Sequence, residues 1–377
     1  MTRVIVATRN ISAKPEFAGS TWVPLQYWLG LQKLGVDVYW VDRLYEIDPL
    51  RHAHSLGYLM ERFSHTARIF GFSEHYCVVY NGGERHFGMS KEQLAHVIGE
   101  TDLLINISGF LPPASPLLSI SRRAYIDVDP GYTQIWVQQA DVAVERHNYF
   151  FTVGQNVGRT DFTIPTGGIV WEPILPFVVL DQWPACVEER CRRFSTIADW
   201  RAQMAMFDGE YYGTKREQFV RLLRLPLEAK QKIELALCIG WGDHEDLGLL
   251  FAHDWIVRDP YHYAGDPQSY REFIQYSRAE FSVAKSGYIK SNSGWFSDRT
   301  ACYLASGKPA LVQSTGFEWR LPTGKGLLTF STVEEAVAGI NSINKDYLAH
   351  CHAARQIAEE HFDSDVVLGF ILQTVGL

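Results

Sequence analysis

The segment that most restricts the fold lies in the C-terminal third of the chain, where two apolar runs flank a polar loop and a short helix. Residues 281–285 have the composition of a buried strand, and residues 286–294 form a polar loop. A helix is predicted from near Ser293 to Gly307, because glycine suits a left-handed C-cap and the proline two positions later prevents continuation. Residues 309–313 then return as a strand, and this order of elements predicts a parallel α/β sheet.

The start of that helix is the first candidate binding site. A helix N-terminus that faces the carboxyl end of a strand presents free backbone N–H groups and a partial positive charge, and both favour a phosphate group. Four residues form the predicted start: Gly294, Trp295, Phe296 and Ser297. The alternative interpretation is an ordinary helix start capped by Ser293, with Trp295 in the core.

The N-terminal half has the same alternation of elements. Residues 4–8 and 36–42 are predicted strands, and a helix over residues 20–34 connects them. This is the βαβ unit of a doubly wound domain, here without the Gly-x-Gly-x-x-Gly fingerprint of dinucleotide sites. Further strands are predicted at 76–80, 103–107, 124–129, 149–153, 194–197, 233–239, 255–257 and 327–330.

A passage rich in glycine and proline, residues 155–183, separates the two halves. We therefore expect a first domain over residues 1–185, a second over 186–362, and a terminal helix within 363–377. A length of 377 residues with 46% hydrophobic side chains is enough for two full-size cores. Because ligands of open α/β sheets bind beyond the carboxyl ends of strands, we expect one cleft between the two domains.

Composition narrows the classes of partner and compartment. The formal net charge of −8 argues against a nucleic-acid or membrane-surface role, which a basic surplus would favour. The six cysteines include no Cys-x-x-Cys pair, which argues against a zinc site and is typical of a reducing cytoplasm. The chain opens directly on a strand, so no signal peptide is expected, and no apolar run reaches the roughly 20 residues of a membrane span.

The segment after residue 281 resembles the nucleotide-sugar half of GT-B glycosyltransferases. It is most similar to bacterial glycosyl transferases of group 1 and the spore-coat type, in which an arginine lies eight residues before the helix-ending glycine, as Arg299 does before Gly307. The similarity extends over residues 281–357. It rests on Ala-Ser-Gly-Lys-Pro at 305–309, Thr-Gly-Phe at 315–317, Leu-Pro-Thr-Gly at 321–324, Gly-Leu-Leu-Thr-Phe-Ser at 326–331 and Glu-Glu-Ala at 334–336.

The resemblance implies two Rossmann-like domains facing across a cleft, with a C-terminal helix that can cross back to the first. It implies a glycosyltransferase, of the hexosyltransferase type, in which the second domain binds a nucleoside diphosphate sugar and the first an acceptor, a small molecule or a glycan. That sugar nucleotide is a co-substrate, so neither a cofactor nor a metal is expected. Asp127-Val-Asp129 matches the Asp-x-Asp metal motif formally, but we interpret it as a strand end. The sequence leaves the oligomeric state, the sugar and the nucleotide open.

One departure from the family keeps other functions open. Many retaining members carry two glutamates with seven residues between them, and the aligned positions here are Gly294 and Cys302. Asp298 lies one helical turn before Cys302 and is a candidate substitute. The alternatives are a sugar-nucleotide epimerase of the same fold, and a non-catalytic protein that binds sugar nucleotides or glycans.

Further donor-side candidates follow from the resemblance, and each has a structural alternative. Arg299 could hold the diphosphate or form a surface ion pair, and Lys285 could balance leaving-group charge or simply end a strand. The resemblance also places Thr315, Gly316 and Phe317 in a loop near the transferred sugar, where the alternative is a tight turn. It places Gly19 and Ser20 in a loop near the donor phosphates, where the alternative is a capped helix start.

A carboxylate at the end of a strand could remove the proton of the acceptor hydroxyl. Asp127 and Asp129 both end the strand over residues 124–129, and we prefer Asp129 because alternating side chains face opposite sides. The structural alternative is an aspartate turn before Pro-Gly. His147 and Glu172 are rival candidates for the base.

Overall fold

The computed structural model describes residues 1–14, 17–47, 54–140 and 142–377. Within them, the first half forms one sheet in the order β4-β3-β2-β1-β5-β6-β7-β8, in which β4 alone is antiparallel to its neighbour. Its strands are β1 Arg3–Arg9, β2 Asp37–Leu44, β3 Tyr76–Tyr80, β4 Arg85–Gly88, β5 Leu103–Ile107, β6 Arg122–Asp127, β7 Tyr149–Thr152 and β8 Glu172–Pro173. The α-helices of this half are α1 Ala18–Lys33, α2 Leu56–Phe70, α3 Lys91–Gly99 and α4 Tyr132–Gln139.

The second half forms a parallel sheet in the order β13-β12-β9-β14-β15-β16, with a separate β10-β11 hairpin. The strands are β9 Phe194–Asp199, β10 Ala205–Phe207, β11 Glu210–Tyr212, β12 Ile233–Cys238, β13 Trp255–Arg258, β14 Ala279–Ser282, β15 Ala310–Gln313 and β16 Leu327–Phe330. The helices are α5 Arg216–Arg221, α6 Leu225–Ala229, α7 His244–Ala252, α8 Pro260–Tyr263, α9 Pro267–Gln275, α10 Ser286–Lys290, α11 Asp298–Ala305, α12 Val333–Lys345, α13 Tyr347–His361 and α14 Ser364–Thr374.

Both sheets are doubly wound, as predicted. In each, strand order reverses once, between β1 and β5 in the first sheet and between β9 and β14 in the second. The central strand β1 is an apolar run, and its residues Val4, Ile5, Val6 and Ala7 have no exposed surface, because helices cover both faces. Ligands of such sheets bind at the carboxyl edge beside the reversal, so each sheet supplies one half of a potential site.

The terminal helix α14 packs on α1 of the first half, as the resemblance implied. A Cβ atom at Gly30 would lie 2.5 Å from Cδ1 of Leu368, so the two helices meet where α1 has no side chain. Lys33 and Asp365 form an ion pair of 2.9 Å across the same contact. The domain boundaries at residues 185 and 362 stay predictions.

The segment after residue 281 differs in detail from the predicted pattern. The polar loop contains the one-turn helix α10, and the next helix, α11, begins at Asp298 rather than near Ser293. Asn292 and Gly294 have positive φ angles of 50° and 66°, a conformation that cannot continue a right-handed helix. The chain therefore turns sharply between the two helices, which sets where α11 starts.

Among the described helices, none combines the length and the apolar character that crossing a bilayer requires.

Candidate functional site

A cavity of about 310 Å³ lies between the carboxyl edges of the two sheets. The first half contributes the start of α1 and the loop after β6, and the second half contributes the loops after β9 and β14 and the start of α11. Nine predicted site residues line it: Gly19, Ser20, Asp129, Lys285, Trp295, Phe296, Ser297, Asp298 and Arg299. The other six are not among its lining residues: Asp127, His147, Gly294, Thr315, Gly316 and Phe317.

Lys215 also lines the cavity, and sequence reasoning missed it. It is the residue before α5 and only 7% exposed. Burial, with the positive charges of Arg299 and Lys285, lowers the pKa of Lys215 to about 7. Within the described residues its ammonium group forms no hydrogen bond or ion pair. The charges of Asp199 and Glu280 oppose this lowering of the pKa, but neither carboxylate pairs directly with the amine, which leaves it able to bind an anion.

The two halves are joined across the cavity by a charged cluster centred on Asp129. Lys285, from the loop after β14, donates to Oδ1 of Asp129 at 2.7 Å, and the Tyr288 hydroxyl donates to the same oxygen at 2.5 Å. Gln203 donates to Oδ2 at 3.2 Å and accepts from Lys285. The cluster ties the proposed base in the first half to a cation in the second.

The protonation state of Asp129 follows from this cluster. Burial raises the pKa of the carboxyl group, but the charge and hydrogen bond of Lys285 and the hydrogen bond of Tyr288 outweigh it and hold the pKa below the usual value. Asp129 is therefore an anion at neutral pH. If an anionic ligand drew Lys285 away, the same burial would make Asp129 a stronger base.

The N-terminus of α11 opens into the cavity. Its N-cap is Ser297, which is 4% exposed and makes no side-chain capping hydrogen bond. Ser293 instead directs its hydroxyl to the Tyr288 carbonyl at 3.2 Å, and Trp295 stacks on Tyr288 with ring centroids 4.4 Å apart. The Ser297 hydroxyl is thus available to a ligand, whereas the N–H groups of Asp298 and Arg299 interact with the Asp298 carboxyl group and would have to exchange that contact for the ligand.

The positions aligned with the family's glutamates are both non-acidic, but Asp298 lies beside one of them. Burial raises the pKa of Asp298, with the Arg299 charge opposing it, and burial also raises the pKa of the Cys302 thiol well above its usual value. Gln26, on α1, lies on the same side of the cavity, with its side chain within hydrogen-bond reach of the Cys302 thiol. These groups can contribute hydrogen bonds to a ligand's hydroxyl groups.

Arg299 forms a buried ion pair, not a surface one. Its Nε donates to Glu280 at 2.8 Å, Nη1 to the Ile197 carbonyl at 2.9 Å, and Nη2 to Ser282 at 2.7 Å. Although burial lowers the pKa of the Arg299 guanidinium, the Glu280 charge more than offsets this, so the group stays charged. It adds positive potential to the cavity wall while it holds α11 against β14.

We predict that Arg299→Met destabilises the protein by about 3–5 kcal/mol, because it leaves the buried Glu280 charge without its partner. Chemical denaturation of the variant measures this. The double variant Glu280→Gln with Arg299→Met is the control and should recover much of the loss. A single variant as stable as the wild type would contradict a structural role for the pair.

Asp127 and His147 lie in closed networks. Asp127 has no exposed surface and accepts hydrogen bonds from four donors, namely Thr133 at 2.6 Å, Thr152 at 2.7 Å, Asp129 N at 3.0 Å and Gln134 at 3.1 Å. Burial raises the pKa of Asp127, and burial lowers the pKa of His147 to about 4. The ring nitrogens of His147 contact Asn106 Nδ2 and the Val144 carbonyl, both at 3.0 Å. Glu172 is exposed in β8.

Most of the remaining predicted residues pack behind the residues that line the cavity. Thr315 donates to the Trp295 carbonyl at 2.6 Å, and Phe317 packs edge-on against Phe296 with centroids 5.0 Å apart. Gly316 has a φ of 93° and accepts a hydrogen bond from Asn156. On the opposite wall, a Cβ at Gly19 would lie 3.2 Å from the Tyr270 ring. The roles predicted for these residues stay predictions.

No arrangement of three or more His, Cys, Asp or Glu side chains able to hold a metal ion occurs in the described ranges.

Several solved structures have the same architecture over nearly the whole length of this chain. One is an alpha-glucosyltransferase in complex with UDP, with a TM-score of 0.64, 11% identity, and 100% of both chains covered. The chain has the GT-B fold. A second is Anabaena HepE in complex with UDP and glucose, with a TM-score of 0.59, 11% identity, and coverage of 100% of this chain and 99% of that one. A third is sucrose-phosphate synthase of Thermosynechococcus elongatus, with a TM-score of 0.55, 10% identity, and 98% of each chain covered. No protein-family model matches the sequence. No curated protein matches it either.

One expectation from composition is wrong. The net charge of −8 argued against nucleic acid as a partner. Several structures with this fold, however, are complexes of an alpha-glucosyltransferase with DNA. Net charge averages over the whole surface, so it does not decide what one cleft of this fold can hold.

Proposed function

We propose that the protein is a glycosyltransferase that moves a sugar from a nucleoside diphosphate sugar to an acceptor, a small molecule or a glycan. The observation that carries the proposal is the cavity at the meeting of two sheet edges, with Lys215 buried and unpaired in its wall. A buried cation with no carboxylate in direct ion-pair contact is costly to the folded protein, so its position favours binding of an anion. UDP and UDP-glucose in solved structures of the same fold indicate which anion to test first.

In this proposal the donor diphosphate lies between Lys215, Lys285 and the start of α11. Transfer breaks the bond between the anomeric carbon and the diphosphate oxygen, so negative charge develops on the leaving group. Two lysines and the N–H groups of a helix N-terminus can stabilise that charge without a metal ion. Activity that persists in excess EDTA would support this assignment, and abolition by EDTA would contradict it.

Asp129 would act on the acceptor side as the general base. Its carboxylate accepts the proton of the attacking hydroxyl, whose oxygen forms the new bond to the anomeric carbon. Lys285 links this step to donor binding, because it holds Asp129 in the free protein. When a diphosphate competes for Lys285, Asp129 loses its counter-charge and becomes more basic. The donor would thus activate the base.

The lowered pKa of Lys215 predicts how donor affinity depends on pH. In the free protein the amine loses its proton as pH rises through about 7, whereas the bound diphosphate favours the charged form. Affinity for UDP should therefore fall above pH 7, by up to about tenfold per pH unit, with proton uptake on binding. Calorimetric titration in buffers of different ionisation enthalpy measures both. Lys215→Arg, which stays charged, should give a flat profile over pH 7–9; a flat profile in the wild type would contradict the role of Lys215.

The proposed function is tested by thermal unfolding against UDP, GDP, dTDP, CDP and ADP. A ligand at ~100 times its dissociation constant adds roughly 2.7 kcal/mol to the folded state, enough to raise the midpoint by a few degrees. One nucleotide should produce that shift, and incubation of its sugar conjugates with an acceptor panel should then release the nucleoside diphosphate. A flat nucleotide panel at millimolar concentrations would contradict the donor site.

A further inference from the structure

A second cationic site lies at the carboxyl edge of the first sheet, away from the cavity. Arg43 is the penultimate residue of β2 and Arg9 is the last of β1, and the two are direct register partners, so their side chains emerge from the same face. Asn106, near the end of β5, is paired with Ala7, two residues before Arg9, and shares that face. These three residues flank the point where strand order reverses, which is where such a sheet binds ligands.

Arg43 is charged and uncompensated. Its side chain is partly exposed as a whole, but Nε and Nη2 are shielded from solvent and have no hydrogen-bond partner. Burial lowers the pKa of Arg43 to about 10; the charges of Tyr45 and Asp42 oppose the lowering and the charge of Arg9 adds to it. Within the described residues no carboxylate lies within ion-pair distance of Arg43, and a guanidinium in that position normally has one.

The neighbouring carboxylate, Asp42, is occupied elsewhere. It points to the opposite face of β2 and accepts hydrogen bonds from the Thr8 hydroxyl at 2.6 Å and from the Ser12 backbone and hydroxyl at 2.8 and 2.6 Å. Its burial and four hydrogen bonds, the last from Ile11 N at 3.3 Å, leave no oxygen for Arg43. The face that carries Arg43 is therefore locally positive in a chain whose net charge is −8.

Gly109 packs directly against the guanidinium and Asn106, at a position where no side chain would fit. A Cβ there would lie 2.4 Å from Asn106 Oδ1 and 2.8 Å from Arg43 Nη2. Asn106 Oδ1 is itself buried without a partner, while Nδ2 donates to the Gly109 carbonyl and contacts His147. Asn10 and Ser108, which follow β1 and β5, have φ angles of 58° and 43°, and non-glycine residues in that strained region cluster at ligand sites.

We propose that Arg43, with Arg9, binds an anionic group of the acceptor, a phosphoryl or carboxylate group on a small molecule. The inference rests on the proposed function, because it takes the first half as the acceptor side of the cleft. A planar guanidinium matches the paired oxygens of either group. Because Nε and Nη2 are shielded from solvent, a ligand reaches Arg43 through the part of the side chain that stays exposed, and a small terminal anion does so more easily than one carried inside a bulky chain. The acceptor class would then be sugar phosphates or sugar acids, not neutral sugars.

The test uses the full chain with the donor cavity saturated by UDP, so that any further anion must bind elsewhere. Glucose 6-phosphate, glucuronate and glucose are titrated by calorimetry into wild type and Arg43→Gln. We expect at least one of the two anions to bind the wild type at least tenfold more tightly than glucose, and Arg43→Gln to remove that preference while UDP affinity stays unchanged. Arg85→Gln, at an exposed position of β4, is the matched control and should behave as wild type.

A stability readout keeps the test valid if binding is weak. Arg43→Gln removes an uncompensated charge, so without ligand its unfolding midpoint should rise by roughly 2 °C or more, and inorganic phosphate should raise the midpoint of wild type but not of the variant. Normal UDP binding with no Arg43-dependent anion preference would overturn this inference and leave the proposed function standing. Loss of UDP binding itself would count against the proposed function instead. Arg43-dependent binding of a short DNA oligonucleotide but of neither small anion would also overturn the small-acceptor assignment.

Discussion

Lys215→Met should abolish donor binding and at the same time make the free protein more stable. The side chain is nearly as long but carries no charge, so the diphosphate loses a buried cation, and UDP affinity should fall about 100-fold or more. Without ligand the variant no longer holds an unpaired ammonium group in the cavity wall. Its free energy of unfolding should therefore rise by roughly 1–3 kcal/mol. Calorimetry with UDP and chemical denaturation measure the two effects.

The gain in stability should depend on pH in a defined direction. The folded-state pKa of Lys215 is lowered to about 7, so the folded protein binds fewer protons than the unfolded chain between about pH 7 and 10.5. The destabilisation that Lys215 causes is complete below pH 7 and is relieved as pH rises through that window. Lys215→Met should thus stabilise most at pH 6–7 and little near pH 10. A variant that loses both stability and UDP binding would indicate a structural lysine and contradict the account.

Asp129→Asn should remove transfer while it preserves donor binding. An amide cannot accept the acceptor proton, so turnover should fall about 10²–10⁴-fold. Lys285, freed from its 2.7 Å ion pair with Asp129, gains a stronger attraction to phosphate, so UDP affinity should stay the same or increase. The two readouts are steady-state transfer and UDP titration.

The control for this variant is Asp127→Asn, two residues away on the same strand end. The hydroxyl and amide partners of Asp127 are buried, so the Asp127→Asn variant should be less stable. The turnover of its folded fraction should stay within about tenfold of the wild-type value. Transfer that survives Asp129→Asn would remove Asp129 as the base. Loss of UDP binding in that variant would instead show that Asp129 organises the donor site.

The fold could be predicted from the sequence because many of its strands are continuous apolar runs with glycine or proline near their ends. β5 Leu103–Ile107 and β12 Ile233–Cys238 match the predicted ranges closely, since burial on both faces leaves an unambiguous pattern. The predicted start of the helix near Ser293 was wrong for a local reason. The positive φ angles of Asn292 and Gly294 move the start of the predicted helix to Asp298, and nothing in residue type alone required both.

The candidate site was harder to predict, because it depends on pairs that form between the two halves. The sequence placed Lys285 and Asp129 at strand ends, but their contact joins residues 156 positions apart. The sequence predicts Arg299 as a diphosphate ligand or a member of a surface ion pair, whereas the structure buries it against Glu280, whose strand position gave no sign of the pairing. Lys215 follows a short hairpin inserted after β9, so it lay outside the loops directly after strands where candidates were sought.

A crystal structure of the protein with UDP tests the central claim most directly. The account predicts the diphosphate in the cavity of about 310 Å³, with oxygens within hydrogen-bond distance of Lys215 Nζ, Lys285 Nζ and the first N–H groups of α11. It also predicts that the Lys285–Asp129 contact lengthens beyond the 2.7 Å of the free protein. UDP bound elsewhere, for instance beside Arg43, or a diphosphate that leaves Lys215 unpaired, would contradict it.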